Sequence, residues 1–303
     1  MKKSILIFVI LFFVTGCTTQ TLVKQNTYKE LRQYETEELI GPKKKVAVTL
    51  FTNETRFGKR RLGQNVSNIL ATELDKTDRF VLLERNRIEE LMKQIALSQS
   101  GLTKGKLQNA RLLDTDYIIT GAVTKYSVSI HGNKNVFTQS KTQIAHVAVD
   151  VRIIDVRTGK IILSESGEGQ ATKQYSQVLG MGASGSYDES LEGNAFRASV
   201  IKLMENIITT LDGREWLCNV VKISGKKLYL DAGKKSNLNI GTKLEIYQLG
   251  ERITDLSGMI IGHEETLLGE IIVDNYLGEN GSIAYYKGQK QLALPIVCHL
   301  PQN

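Results

Sequence analysis

Residues 180–185 read GMGASG and satisfy the G-x-G-x-x-G spacing with which a backbone cradles a pyrophosphate. That chemistry needs a strand running into the first glycine and a helix opening at the third, so that the helix N-terminus meets the phosphates. Here SYDESLEG intervenes before any helical stripe begins, so Gly180, Gly182 and Gly185 read as a flexible loop, and contact between subunits is the use expected of it. Other reactive residue types are no better arranged. HEET at 263–266 lacks the second histidine, four residues on, that a zinc-peptidase helix requires. His131, His146 and His263 are scattered, and Cys298 beside His299 makes no zinc spacing, so no metal is expected. Ser184 and Ser186 do not form a G-x-S-x-G elbow. Glu89 and Glu90 fall on the outer face of a predicted helix, where solvation accounts for both. No catalytic residue, cofactor or enzymatic activity is expected.

Cys17 is a different matter. Lys2 and Lys3 precede ten apolar residues, Ile5 to Val14, too few to span a bilayer as a helix but suited to the core of a signal peptide. The run ends in VTGC, which resembles the lipobox of bacterial lipoproteins. That resemblance implies a signal peptide over 1–16 and a mature chain that starts at Cys17, with lipid on its sulfur and amine. Several acyl chains anchor far more firmly than one. Thr18, in place of an aspartate, resembles the sorting context for the outer membrane. An outer-membrane lipoprotein facing the periplasm is expected.

Charge narrows the partners. The formal net charge is +7, and loss of Lys2 and Lys3 leaves +5. The basic clusters KKK at 43–45 and GKRR at 58–61 are short and lack interleaved aromatics, so they read as solvated faces rather than a nucleic-acid footprint. Beyond Cys17 the remaining cysteines are Cys218 and Cys298. An oxidising compartment would allow a disulfide between them, and two thiols in a β-core read equally well.

The elements follow from periodicity. Residues 17–42 are polar and weakly periodic, a tether. KVAVTLF at 45–51 and RFVLL at 79–83 read as strands, and Leu62, Val66, Ile69, Leu70 and Leu74 mark a helix between them. NRIEELMKQIAL (86–97) reads as a capped helix and YIITGAV (117–123) as a buried strand. IAHVAVDVRIIDV alternates with Ala145, Val147, Val149, Val151 and Ile153 on one face, RTGK turns, and IILSES returns as a hairpin. Phe196, Val200, Leu203, Met204, Ile207 and Leu211 make a last helical stripe that Gly213 ends. From Trp216 onward glycines punctuate short strands. The expectation is an α/β domain with a mixed sheet over 43–213 and a small all-β barrel-like domain over 214–303.

Four ordered blocks carry a family resemblance: TDRFVLLERNRIEELMKQ, DTDYIITGAVTKY, VDVRIIDVRTGKIILSESGEG and the helix after GSYDESLEG. They resemble the CsgG family of curli-secretion lipoproteins over about residues 40–212. LYLDAGKKSNLNIGTKLEIYQLGE and DLSGMIIGHEETLLGEIIVDN resemble the C-terminal module of the flagellar assembly protein FlgT. The CsgG resemblance implies a homo-oligomer that assembles or exports a surface structure, and in the best-known member a ring-shaped channel to which each subunit donates two hairpins. The matching stretches here, KYSVSIHGNKNVFTQSKTQIAHVAV and SESGEGQATKQYSQVLGMGASGSYDES, are polar, and the first puts Lys141 near mid-segment. They read as extensions of the sheet plus a glycine-rich loop. An anchored assembly factor is expected, with a secretion channel or a periplasmic adaptor of an envelope machine as the alternatives.

Overall fold

The computed structural model describes residues 21–22, 41–83, 115–134, 138–178, 181–182, 189–256 and 260–301. The predicted helix over 86–97, with Glu89 and Glu90, lies outside these residues, as do Cys17, Gly180 and Gly185.

The first sheet begins with a two-residue strand β1 (Thr21–Leu22), then β2 (Lys44–Val48) and β3 (Thr52–Asn53), followed by helix α1 (Arg60–Lys76) and β4 (Phe80–Leu83). Three strands of 18 residues come next, β5 (Tyr117–Lys134), β6 (Thr138–Asp155) and β7 (Ile161–Val178). A short β8 (Met181–Gly182) and helix α2 (Glu189–Asp212) complete this part. Pairing is parallel from β2 to β4 and β5, and antiparallel along β5, β6 and β7, so the sheet is mixed. Every residue of β2 is buried, as a central strand covered on both faces requires.

One apolar core lies between this sheet and both helices. Leu62, Val66, Leu70 and Leu74, each four residues from the last, put one stripe of α1 into it. The stripe of α2 does the same, with Phe196, Val200, Met204, Ile207 and Leu211 fully buried. The inward face of β6 supplies Ala145, Val147, Val149, Val151 and Ile153. Helix α2 lies so close to β7 that a Cβ on Gly169 would stand 2.0 Å from the Ala195 carbonyl oxygen, and one on Gly167 2.6 Å from that of Ser199. Ser199 Oγ uses the closeness to donate to the Gly167 carbonyl at 2.7 Å.

Trp216 opens a second core. It is enclosed by β9 (Leu217–Ser224), β10 (Lys227–Leu230), β11 (Lys243–Thr254), β12 (Ile260–Leu277), β13 (Gly281–Tyr286) and β14 (Ile296–His299). All pairings are antiparallel, and the order β10-β13-β12-β11-β14-β9 closes into a barrel. Alternation fills it: Leu228 and Leu230, Leu244 and Ile246, Ile271 and Val273 all point inward and are buried.

The main departure from expectation is strand length. The hairpin read at 144–166 is part of a three-stranded meander running from Tyr117 to Val178; the extension of the sheet read beyond it is regular strand β7, and β8, at Gly182 of the glycine-rich stretch, turns back to pair antiparallel with its end. Backbone pairing does not need apolar side chains, so polar residues continue the ladder without changing the register.

Candidate functional site

The run Lys43 to Lys45 is not the solvated face its composition suggests. Lys44 and Lys45 are only 9% and 8% exposed, because the start of the central strand β2 abuts the second sheet. Burial of a cation demands a partner for each. Lys43 Nζ lies 2.5 Å from Asp78 Oδ1, Lys44 Nζ donates to the Asp212 carbonyl at 3.4 Å, and Lys45 Nζ lies 3.2 Å from Asp231 Oδ2. Those partners, two carboxylates and one backbone carbonyl, lie just past the end of α1, just past the end of β10 and at the end of α2, so three separate elements converge on one short strand. Backbone contacts reinforce the junction: the Lys43 N–H donates to the Ser236 carbonyl at 2.7 Å, and Trp216 Nε1 donates to the Lys43 carbonyl at 3.2 Å.

Asp116 completes this cluster. Its Oδ2 accepts the Lys45 N–H at 2.8 Å. Burial pushes its carboxyl up to about 6, against the pull of the Lys45 N–H and ammonium, while Asp231 adds a smaller push upward. Burial likewise lowers the Lys44 amine, opposed by Asp212 and Asp116. The GKRR cluster at 58–61 is exposed as expected, yet Arg61 reaches inward. Its guanidinium donates twice to Glu192 at 3.0 Å, and Asn65 at 3.2 Å and the Tyr126 hydroxyl at 2.9 Å donate to the same carboxylate. Arg197 pairs in turn with Glu73 of α1, which also holds Lys76 at 3.1 Å. The two helices are thus clamped by one buried carboxylate each.

The outer half of the β5–β7 ribbon shows what it can face. Open-face positions read Ser127, Ser129 and His131 on β5, Ser140, Thr142, Ile144 and His146 on β6, and Gln170, Thr172 and Gln174 on β7. The helix-side face interleaves Lys141, Gln143 and Lys173 with the apolar Val128, Ile130, Ala145, Ala171 and Tyr175 over the same span. A lipid-facing ribbon requires an apolar band; the open face is polar apart from Ile144, and the apolar residues of the helix-side face are interrupted by Lys141, Gln143 and Lys173. β1 pairs with this half of β7, Thr21 opposite Lys173 and Leu22 opposite Thr172.

In the second sheet, Cys218 and Cys298 face each other directly across the β9–β14 ladder, both buried, as free thiols. Burial and the thiol–thiol contact raise Cys218 well above its ordinary range. Next to them His299 sits between two acids, with Nδ1 2.8 Å from Glu215 and Nε2 3.2 Å from Glu265. HEET lies within strand β12, not on a helix. Among the described residues no group of three or more His, Cys, Asp or Glu is arranged to hold a metal. Of the loop glycines, the structure describes only Gly182, whose backbone pairs with Gln177.

Comparison with known proteins supplies the family. Residues 24–234 match the profile of the curli production assembly/transport component CsgG. The chain belongs to the CsgG family. Residues 1–18, which include Cys17, match the prokaryotic membrane lipoprotein lipid attachment site, and this CsgG-family chain is a membrane-anchored lipoprotein. It is 27% identical over 216 residues to a Neisseria meningitidis serogroup B protein named as a lipoprotein, NMB1126/NMB1164, a match that covers 68% of this chain and 92% of the relative. Among solved structures it is similar to the lipoprotein GNA1162 of Neisseria meningitidis, at 16% identity, 56% of this chain, 99% of that one and a TM-score of 0.31. It is also similar to the hypothetical protein CT253 of Chlamydia trachomatis, at 17% identity, 56% of this chain, 96% of that one and a TM-score of 0.32.

The CsgG match runs past Gly213 through β9 and β10 to residue 234, so it spans the junction. It takes in Lys43 to Lys45, Asp116, Asp212 and Asp231 together. None of these pairings was legible beforehand: Lys45 and Asp231 are far apart in sequence, and neither carries a local signal of its partner.

Proposed function

We propose that this lipid-anchored CsgG-family protein works in assembly or export of a surface structure, through protein contacts rather than catalysis, as a homo-oligomer on the periplasmic side of the outer membrane. The observation that carries this reading is the lipid attachment match over 1–18 leading directly into the CsgG match from residue 24. Cys17 bears the lipid. Only three residues lie between it and Thr21 on the edge of β7, so Cys17 sits within about 14 Å of the outer half of the ribbon. The ribbon's outer end therefore meets the membrane surface, and the barrel, joined at the opposite end of β5, points away from it.

Residues 43–213 act as the CsgG-like domain and 214–303, which resemble the FlgT module, as the part that docks on a partner. The glycines from Gly180 to Gly185 contribute to contact between subunits, and in an oxidising periplasm Cys218 and Cys298 join as a cross-strand disulfide. One observation favours a channel instead: strands of 18 residues exceed the 9 to 11 or so that a tilted spanning strand needs. The polar open face of the ribbon, and Lys141 and Lys173 on the other, weigh against it.

Cys17→Ala tests the anchor. The variant is expected in the soluble periplasmic fraction, while the native protein stays with washed outer membranes. Retention of the variant in those membranes, together with discrete conductance steps in planar bilayers, would replace this reading with the channel.

A further inference from the structure

The β11–β12 hairpin outgrows the barrel that it belongs to. Strand β14 pairs with β11 only over Glu245–Gln248, and β13 pairs with β12 only over Ile271–Leu277. The Leu249 N–H still donates to the Pro295 carbonyl at 3.0 Å, but beyond it residues 250–256 and 260–264 have lateral ladder partners only in each other, and the arm extends about 20 Å past the barrel. A two-stranded arm gains no core of its own, and its turn requires only small or polar residues. Yet Ile253 and Ile261 near its end are half exposed and Leu256 is fully exposed. Apolar side chains that serve no fold mark a contact surface. Two acids, Glu251 and Asp255, accompany them beside Arg252, while Glu265 at the foot of the arm is drawn to His299.

A complementary feature lies elsewhere on the same barrel. The β9–β10 turn and the segment after β13 border a cavity of about 470 Å³, whose apolar lining is Ile223, Tyr286 and Leu292 and whose basic lining is Lys226 and Lys290. Lys290 Nζ donates to the Leu267 carbonyl at 2.9 Å, which sets the cavity beside the foot of the arm rather than under its tip. The two bordering stretches, 221–230 and 284–293, contain five lysines and no acid.

We propose that the acidic, apolar tip of the arm on one copy of this chain seats in the basic, apolar cavity of a second copy, with Leu256 against Leu292 and Ile223, and Glu251 and Asp255 facing Lys226 and Lys290. The occupant is a second copy because the arm and the cavity are opposite in charge and alike in apolar content. Because the two surfaces differ, the contact is head-to-tail, which closes into a ring or continues as a filament according to its rotation. This deepens the homo-oligomer reading by naming its contact, and it rests on that reading.

The test uses the full-length lipidated chain extracted in detergent. Light scattering and sedimentation measure its mass, and a short bismaleimide links copies carrying Leu256→Cys to copies carrying Leu292→Cys. Cys218 and Cys298 are buried and do not compete. The expected results are a multimer, cross-linked dimers only when both variants are mixed, and an assembly midpoint raised at least about tenfold by Leu256→Asp. Asp255→Lys, which weakens assembly by itself, is rescued by Lys226→Glu. A multimer unchanged by Leu256→Asp, with no cross-link, would overturn the contact while leaving the homo-oligomer and the anchor intact. A monomer whose Leu256→Asp variant loses only binding to anionic vesicles would overturn it in favour of a lipid surface. Retention in the outer membrane of Cys17→Ala bears on the anchor alone, so the two readings fail separately.

Discussion

Replacing Asp116 by asparagine isolates the electrostatics of the junction. The carboxyl has an ordinary value of 3.8 and is pushed up to about 6 by burial, with Lys45 and Arg157 acting against the rise and Asp231 with it. The folded state therefore binds this proton more readily than the unfolded state does. Stability contributed by the neutral acid is complete below the unfolded value, falls as pH climbs from about 4, and is lost above about 6. The gap of about two units corresponds to about 3 kcal/mol across that window. The asparagine amide keeps an oxygen acceptor for the Lys45 N–H, which donates to Asp116 at 2.8 Å, and removes the charge. Asp116→Asn is thus expected to match the native protein at pH 4 and to exceed it by about 1–3 kcal/mol at pH 8. Urea unfolding at several pH values measures this, followed by the fluorescence of Trp216, the single tryptophan, which is buried at the same junction. Other titrating groups are common to both proteins and cancel in the comparison. Parallel pH profiles, or a variant less stable than native at pH 8, would refute the account of Asp116 as a carboxylate held against its desolvation.

Two further outcomes follow from the packing. Gly169→Ala places a methyl 2.0 Å from the Ala195 carbonyl and is expected to cost about 3 kcal/mol or more, while Gly159→Ala, in the open turn between β6 and β7, costs much less because strain at φ 70° is its main penalty; urea midpoints compare the two. Arg61→Ala leaves the carboxylate of Glu192, itself 2% exposed, without its cation and is expected to cost about 2–4 kcal/mol, discounted from a fully buried pair because Arg61 is half exposed. Adding Glu192→Gln recovers part of that loss, and a double variant as unstable as Arg61→Ala alone would show that packing, not charge, sets the cost.

Much of the fold was legible because its determinants are local. The spacing of Leu62, Val66, Leu70 and Leu74 and the alternation from Ala145 to Ile153 declare period and face without reference to anything distant. The same is true of the change from helical stripes to glycine-punctuated strands at Trp216. The length of the ribbon was not legible, since the polar residues 138–143 have no alternation to extend; their pairing is imposed by the ladders on either side. Gly167 and Gly169 look like loop glycines in SESGEG, and only the presence of α2 above them shows that they make room for a helix.

The contrast is sharpest for charge and for chemistry. By itself the sequence determined the lipid-attachment signal, the family, the helices that became α1 and α2 and the succession of strands along the chain, because each of these resides in neighbouring residues or in ordered blocks. The tertiary structure decided which charges are buried and which surfaces are left over. It drew Lys44 and Lys45 out of water, set Cys218 opposite Cys298, placed His299 between Glu215 and Glu265, and carried Leu256 beyond the barrel. These outcomes depend on which distant segments meet, and a chain's composition near any one residue carries no record of the partner that desolvates it.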